Sequence, residues 1–381
     1  MRAFLQGALV LLLAVSPDPP PSHAVVLCAK AKRGEPAGVV RLRSQCRRGE
    51  GQVDPAALGL QVAGPPGSPG APGAPGSAGA DGQLRIYGDG SAGARTVTTD
   101  DTLDEPNRQY TDLTIGPGAT LTIPSGAVIR CTGTFTNNGT IVVGTASLGA
   151  KEAVRDSTID STYQPPGQGV APAPAARGEL GPAGSFYFGG FAGTGLTAAQ
   201  ARSILRPGVN AGGGGSCGTF SGSDGGGGLT VLAAGAIVND GTVRADGAGP
   251  GVFGSGGGAG GVVVLASKQR IRNRGTITAN GGAGGQNGTS NGPGGGGGGG
   301  IVHVLAPEID DTGLVSADGG AAGSLTGTTA SGLRAGGGAG GSCGGGGGSG
   351  GSVQGNNTAQ PASPGGAGHV LETLADPTAL F

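Results

Sequence analysis

Residues 237–247 read IVNDGTVRADG, residues 271–281 IRNRGTITANG and residues 309–319 IDDTGLVSADG; residues 135–145, FTNNGTIVVGT, align with all three without a gap. Each segment has an apolar residue, Asn or Asp two positions on, Gly four on, and Val or Ile six on. Upstream of the last three lies a second apolar run: LTVLA (229–233), VVVLA (262–266) and VHVLA (302–306). Short β-runs joined by tight corners and repeated with variable spacers describe a coil. Alternation places Val231, Val264 and Val304 on one face, with Ile237, Ile271 and Ile309 on the next run. One coil cannot bury such a face, whereas coils stacked at about 4.8 Å can. Stacking aligns Asn137, Asn239, Asn273 and Asp311 as a ladder at a corner that calls for left-handed backbone, and the following Gly relieves the next bend. The fold expected is an all-β parallel β-helix. A β-sandwich with long glycine loops is the rival, but its strands do not repeat a corner Asn in register. The segment 110–130 supplies leading coils. His369-Val370-Leu371 repeats His303-Val304-Leu305 as a final strand, with LETLADPTALF closing the stack.

Glycine-rich stretches leave the coil directly after Ala-Asp-Gly or Ala-Asn-Gly, over roughly 247–261, 281–300 and 319–352, with a similar stretch at 208–228. Gly/Ser-rich sequence is flexible by default. The alternative is a set of extended, polyproline-II-like segments bonded to one another because no side chain keeps them apart. Cys217 and Cys343 lie in matching glycine surroundings, and a disulfide between them favours the packed alternative: three coils rise about 14 Å, so the loops must fold back. In the insertion before the main repeat, Leu196-Thr197-AAQARSIL carries an N-cap threonine and good helix formers ahead of Arg206-Pro207, which predicts one short helix. SFYFGGF (185–191) concentrates the scarce aromatics and reads as a plug over the stack, ahead of a ligand platform.

The chain has 381 residues, 90 of them Gly, no Trp, and a formal net charge of −1. Such a balance gives no field to attract nucleic acid. Met1-Arg2, the apolar ALVLLLAV and Ser22-His23-Ala24 have the layout of a secretory leader, 1–24, and no run is long enough to span a bilayer. Five cysteines in an exported chain point to disulfides. Cys28 and Cys46 frame two alternating runs about a Gly-Glu-Pro-Ala-Gly turn, so a hairpin over 25–61 closed by Cys28–Cys46 is expected, worth about 3 kcal/mol. Cys131 is left as a buried free thiol. Residues 62–84 contain GPPGSPGAPGAPGSAGADG, six Gly-x-y triplets that would extend about 55 Å. Six triplets alone hold three chains poorly, so a stiff monomeric spacer is preferred to a trimer. First coils over 85–147, the insertion over 148–228 and the main repeats with a C-terminal cap over 229–381 complete the expected organisation.

Chemistry is sparse. Beyond the leader only His303 and His369 remain, and neither has a Ser/Asp arrangement that would make a nucleophile. They share a register without a third ligand and are expected as an exposed row, with no metal or cofactor. Asp246 and Asp318 share the position before a glycine stretch, about 9–10 Å apart over two coils, and are the nearest approach to a glycosidase pair. Asn280 holds the same position between them, and turn chemistry alone accounts for the column. Around the hairpin Lys30, Lys32, Arg33, Arg41, Arg43, Arg47 and Arg48 outnumber Glu35 and Glu50: either a docking surface for an acidic polymer or a solvated face with Val40 and Leu42 inward.

The Cys-framed LCAKAKRGEPAGVVRLRSQCRRGE, the Gly-x-y tract and the GGGG…IVHVLAP…GLVSADGG coils together resemble a loose group of exported bacterial collagen-like or glycine-rich surface proteins. The resemblance implies a right-handed parallel β-helix and an extracellular structural or adhesive role, and brings no catalytic residues. A non-enzymatic surface or matrix protein is expected, with cell-wall polymer, carbohydrate or a surface protein as partner. A polysaccharide-active enzyme and a phage-like tail fragment are the alternatives.

Overall fold

A computed structural model describes residues 26–32, 35–36, 40–54, 86–146, 169–171, 180–181, 188–206, 208, 211–216, 222–251, 253–288, 291–325, 334–354 and 358–381. The leader, the Gly-x-y tract and Cys217 lie outside them. The chain forms two compact units, Met1–Ser77 and Ala78–Phe381.

In the first unit, β1 (Val26–Lys32) is paired antiparallel by β2 (Glu35–Pro36), β3 (Arg41–Arg43) and β4 (Glu50–Gln52). The Cys28–Cys46 disulfide is present, with Cα atoms 5.5 Å apart. Arg43 pairs with Glu50 at 3.1 Å. The Glu50 carboxyl also accepts the Arg47 amide, and that bond, followed by the Arg43 charge, holds it below the usual carboxylate range. Leu42 does not point inward as expected; it is 72 % exposed, because so small a sheet has no second layer to cover it.

The second unit is built on three six-stranded parallel sheets. Sheet II begins the stack with β5 (Arg95–Val97) and sheet III with β6 (Asp101–Thr102). Complete coils follow: β7 (Asn107–Tyr110), β8 (Leu113–Ile115) and β9 (Thr120–Ile123), then β10 (Ala127–Cys131), β11 (Phe135–Asn137) and β12 (Thr140–Val143). A two-residue strand, β13 (Leu180–Gly181), lies in the insertion, and helix α1 is Ala198–Arg202. Three more coils are β14 (Gly228–Ala233), β15 (Ile237–Asn239) and β16 (Thr242–Arg244); β17 (Val262–Ser267), β18 (Arg270–Asn273) and β19 (Thr276–Thr278); and β20 (Ile301–Ala306), β21 (Glu308–Asp311) and β22 (Leu314–Ser316). After β23 (Arg334–Ala335), which pairs with β13, β24 (His369–Leu374) adds a last strand to sheet I, made of β7, β10, β14, β17 and β20, and to neither other sheet. The result is a β-helix-like solenoid.

Its interior is lined by stacked columns: Leu113, Phe135, Ile237, Ile271 and Ile309 on sheet II; Leu121, Ile141, Val243, Ile277 and Val315 on sheet III. The Asn ladder forms, at the ends of β11, β15, β18 and β21 and not on the left-handed backbone expected. The side-chain amide of Asn137 donates to Asn239 at 2.7 Å, Asn239 to Asn273 at 2.7 Å, and Asn273 to Asp311 at 2.8 Å, all inside the stack. The glycines after them serve a different purpose from the one expected. Gly139, Gly241, Gly275 and Gly313 have no left-handed φ; a Cβ on any of them would lie under 3 Å from the carbonyl of the coil below.

Sheet I departs from the expected alternation. Its inward column is Ile129, Val231, Leu265 and Val304, while Val264 stands on the opposite face between Thr230 and His303. Both faces are buried, which is why these strands are apolar at nearly every position. The outer face is covered by Ala201 of α1, by Ile204 and Leu205, and by Phe381 of the C-terminal tail. Helix α1 carries the predicted Thr197 cap, with Thr197 and Gln200 in a reciprocal capping box.

Every long insertion leaves between sheets III and I, and the glycine stretches pack. Gly294, Gly297 and Gly300 donate to the carbonyls of Gly285, Gly282 and Ala279; Gly295 and Gly298 donate to Gly338 and Gly341; Gly296 and Gly299 donate to Ser363 and Gly366. Successive amides therefore address three different neighbours and return every third residue, the period of polyproline II. The same rule governs 254–261, where Gly257 and Gly260 bond Gly295 and Gly298 while Gly258 and Gly261 bond Ala248 and Ala245. A Cβ at Gly296, Gly297 or Gly298 would fall under 3 Å from the carbonyl of Gly320, Gly258 or Gly345. Apart from Gly254, none of these glycines has positive φ, so close approach and not conformational freedom demands them. On the outermost segment, Gln360, Ser363 and Gly366 bond one neighbour and Gly365 and Gly368 another; the third row is the exposed Pro361, Pro364 and Ala367. No disulfide is involved. Cys343 is a free, buried thiol, so the expected Cys217–Cys343 bridge is absent and backbone hydrogen bonds hold the segments instead.

The two ends of the solenoid differ. At the start, Arg95 and Asp101 stand in the inward columns otherwise filled by Leu113 and Leu121, and pair with each other. Arg95 also donates to the Tyr110 hydroxyl at 3.3 Å, and Leu103 and Tyr110 are buried beneath. At the finish, β24 extends sheet I one strand past sheets II and III. The tail does not close the stack as expected. It turns into a 3-10 turn, Pro377–Ala379, which returns along the outer face of sheet I, where Thr378 bonds the Tyr87 hydroxyl at 3.0 Å.

Candidate functional site

The carboxylates nominated as weak catalytic candidates belong to a second ladder. Asp246 receives the Asn280 amide at 2.7 Å and the Thr278 hydroxyl at 3.1 Å, and pairs with Arg244 at 2.8 Å. Asn280 in turn accepts from the Asp318 amide at 2.8 Å and the Ser316 hydroxyl at 2.7 Å. Each acceptor side chain thus ties its corner to the next coil. Asp246 is occupied as a structural acceptor, and the side chain lying between it and Asp318 is a neutral amide.

The histidines do not form an exposed row. Strand register sets Ile301 against His369 and His303 against Leu371, because β24 pairs two residues away from the alignment of the HVL motifs. His303 is buried on the outer face of sheet I. Arg202 donates to the Thr373 hydroxyl at 2.7 Å, and that hydroxyl bonds His303 Nε2 at 2.9 Å. Nδ1 is buried and without a partner among the described residues. Burial, followed by the nearby Arg202 charge, pushes the imidazole down to about 4, and the ring is neutral at pH 7. His369 donates from Nε2 to the Leu196 carbonyl at 2.7 Å. Both rings tie α1 and its flanks to β20 and β24.

Burial pushes the Cys131 and Cys343 thiols up to about 12, which makes both inert as nucleophiles at neutral pH. Cys131 is the buried free thiol expected in its strand. Among the described residues there is no cluster of three metal-ligating side chains, and no helix is long and apolar enough to cross a membrane. A cavity of about 390 Å³ lies against Val170, Ile204, Leu205, Leu380 and Phe381, with Arg206 stacked 5.3 Å over the Phe381 ring.

The glycine lattice is the largest charge-free part of the described chain; most of its residues are buried against one another, and its outer segment is exposed at Pro361, Ser363, Pro364, Gly366 and Ala367. Its segments 253–266, 275–288, 291–306, 336–354 and 358–371 contain no Asp, Glu, Lys or Arg. Along its edge, Phe188, Phe191 and Thr194 are the exposed residues of a segment that is bonded through Gly190 to Gly337 and Gly350. These two phenylalanines do not plug the stack: they are displayed on the rim. Phe186 and Tyr187 of the same motif lie outside the described residues. The sequence signal for the rim is two phenylalanines three positions apart among glycines, which does not by itself separate a rim from a plug.

No protein-family model matches the chain, and no curated protein and no solved structure is detectably similar to it.

Proposed function

We propose that this chain is a non-enzymatic, exported surface or extracellular-matrix protein. A basic disulfide hairpin and a collagen-like spacer precede a right-handed parallel β-helix, whose glycine-rich face contacts carbohydrate or a surface partner. The observation that carries this reading is the lattice: a charge-free body of backbone and small side chains held by hydrogen bonds in three directions, whose exposed part is the outer segment with Pro361, Ser363, Pro364, Gly366 and Ala367 and the rim with Phe188 and Phe191. Such a surface offers no acid, base or nucleophile and no electrostatic attraction. It suits neutral, extended partners that match it by shape and by hydrogen bonding to backbone groups. Right-handedness follows from the general preference of parallel crossovers. The structural engagement of Asp246 supports the non-enzymatic reading over a polysaccharide-active enzyme.

The test is a carbohydrate-array screen with a parallel release assay. Saturable binding without products, unchanged in Asp246→Asn and Asp318→Asn, is the expected outcome. Turnover abolished by either substitution would establish the enzyme instead.

A further inference from the structure

We propose that the two ends of the solenoid are complementary self-association surfaces, at which copies of the chain join head to tail into an open-ended stack. The inference rests on the fold and is independent of the function proposed above. Each of the three sheets has six strands, but sheet I is displaced along the stack by one. The start therefore has β5 and β6 without a sheet I strand of their own coil, and the finish has β24 alone. Strand β24 of one copy with β5 and β6 of the next makes one complete coil, and all three sheets continue without a gap. At the finish the inward columns end on Ile309 and Val315, both only partly covered. Among the described residues the outer edges of β21 and β22 have no neighbouring strand, and β5 and β6 are the free first strands of the same two sheets, so one joint fills both edges. It also gives the inward side of β24, Val370, Glu372 and Leu374, the opposite wall that the single copy lacks; Leu374 alone is 71 % exposed.

Charge selects the same partner. Followed through the strand registers, the inward column of sheet I runs Arg108, Ile129, Val231, Leu265, Val304, Glu372: a cation at the start, an anion at the finish and hydrocarbon between. Continued into a second copy, the column brings Glu372 into register with Arg108, whose guanidinium in the single copy holds only the largely exposed Glu105. Arg95 and Asp101, which continue the other two columns, arrive already paired with each other. Each charge on the inner wall of the shared coil thus has an opposite charge beside it, the condition for burying any of them. A joint of two finishes has no cation for either Glu372. The three acids of β21 are met within the copy: Asp311 accepts the Asn273 amide at 2.8 Å, and Glu308 and Asp310 are register partners of Arg270 and Arg272. One local change is needed. The turn Gly90–Gly93 crosses the last part of the β7 edge, where Ala92 donates to the Gln109 carbonyl and Gly93 accepts from Thr111, so it has to swing out to admit Thr373 and Leu374.

Sedimentation velocity on the full chain, purified from a secreting host, tests the assignment. The native chain is expected to form a series of species that grows with concentration, since a head-to-tail contact leaves a free end at every step. Glu372→Lys and Arg108→Glu are each expected to run as monomers with unchanged circular dichroism, because both side chains lie at open ends of the single copy. An equimolar mixture of the two variants is expected to assemble again, as each start then meets a finish of opposite charge; a damaged fold could not be repaired by mixing. A native chain that stays monomeric, or stops at a dimer or trimer, overturns the proposal. So do single variants that assemble like the native chain, or a mixture that stays monomeric.

Discussion

The solenoid and the glycine lattice grow from the same coils, yet they solve packing in opposite ways. In the solenoid, side chains fill the space between sheets about 10 Å apart, and the backbone bonds in one direction only, coil to coil. In the lattice the few side chains are mostly small, such as Ala259, Ser255 and Ala339. The backbone bonds in three directions, and segments approach until carbonyl oxygens occupy the places a Cβ would need. The first scheme tolerates a change in side-chain volume by paying in cavities; the second tolerates no added volume at the glycines where segments touch.

The sharpest way to break this contrast is to add volume to the lattice. Gly297→Val puts a branched side chain into the Gly258 carbonyl, with rigid backbone on every side, and is expected to cost more than about 4 kcal/mol, read as loss of cooperative thermal unfolding. In the solenoid, Asn239→Leu keeps the volume but breaks the ladder: Asn137 keeps only its bond to the Thr242 carbonyl and the Asn273 oxygen loses its donor, and about 2–4 kcal/mol is expected in urea unfolding. His303 sharpens the comparison at sheet I, the wall where both sides are buried. Its folded pKa of about 4 lies below the unfolded value near 6.5, so protonation favours the unfolded chain. Stability is then full above about pH 6.5 and declines as pH falls toward 4, by roughly 2–3 kcal/mol, and His303→Leu is expected to abolish that decline in urea titrations over this window. The smallest effect belongs to Gly249→Ala, in a neighbouring glycine stretch but with nothing within 4 Å of the added methyl: a change within about 0.5 kcal/mol.

Legibility in the sequence followed the same divide. Coils of sheets II and III were readable because one face is buried and the other wet, so Ile237, Ile271 and Ile309 stand out against polar neighbours, and the Asn ladder confirmed their register. The register of sheet I was not readable. A strand buried on both faces loses its two-residue alternation, so Val231 and Val264 looked equivalent when they point opposite ways, and the HVL repeat set His303 beside His369 when the strands pair two residues apart. The hairpin disulfide was legible from spacing, whereas the expected pairing of Cys343 rested on a likeness between glycine surroundings, which carries no geometry. The packed state of the glycines was open to sequence reasoning only as one of two pictures, because its order lies in amide directions and not in residue type. The open C-terminal end was hidden by LETLADPTALF, apolar enough to look like a lid but spent on the outer face of sheet I.

The three-way addressing of the lattice amides also has a genetic consequence. Inserting one or two glycines into a segment such as 294–300 would rotate every later amide by one or two thirds of a turn, toward the wrong neighbour, whereas three inserted residues add a full turn and restore the match. Repetitive glycine codons are prone to slip by single units during replication. A gene encoding such a lattice therefore has a second reading frame laid over the triplet code, nine bases long. Selection would hold segment lengths in phase with it even where every residue on either side is the same.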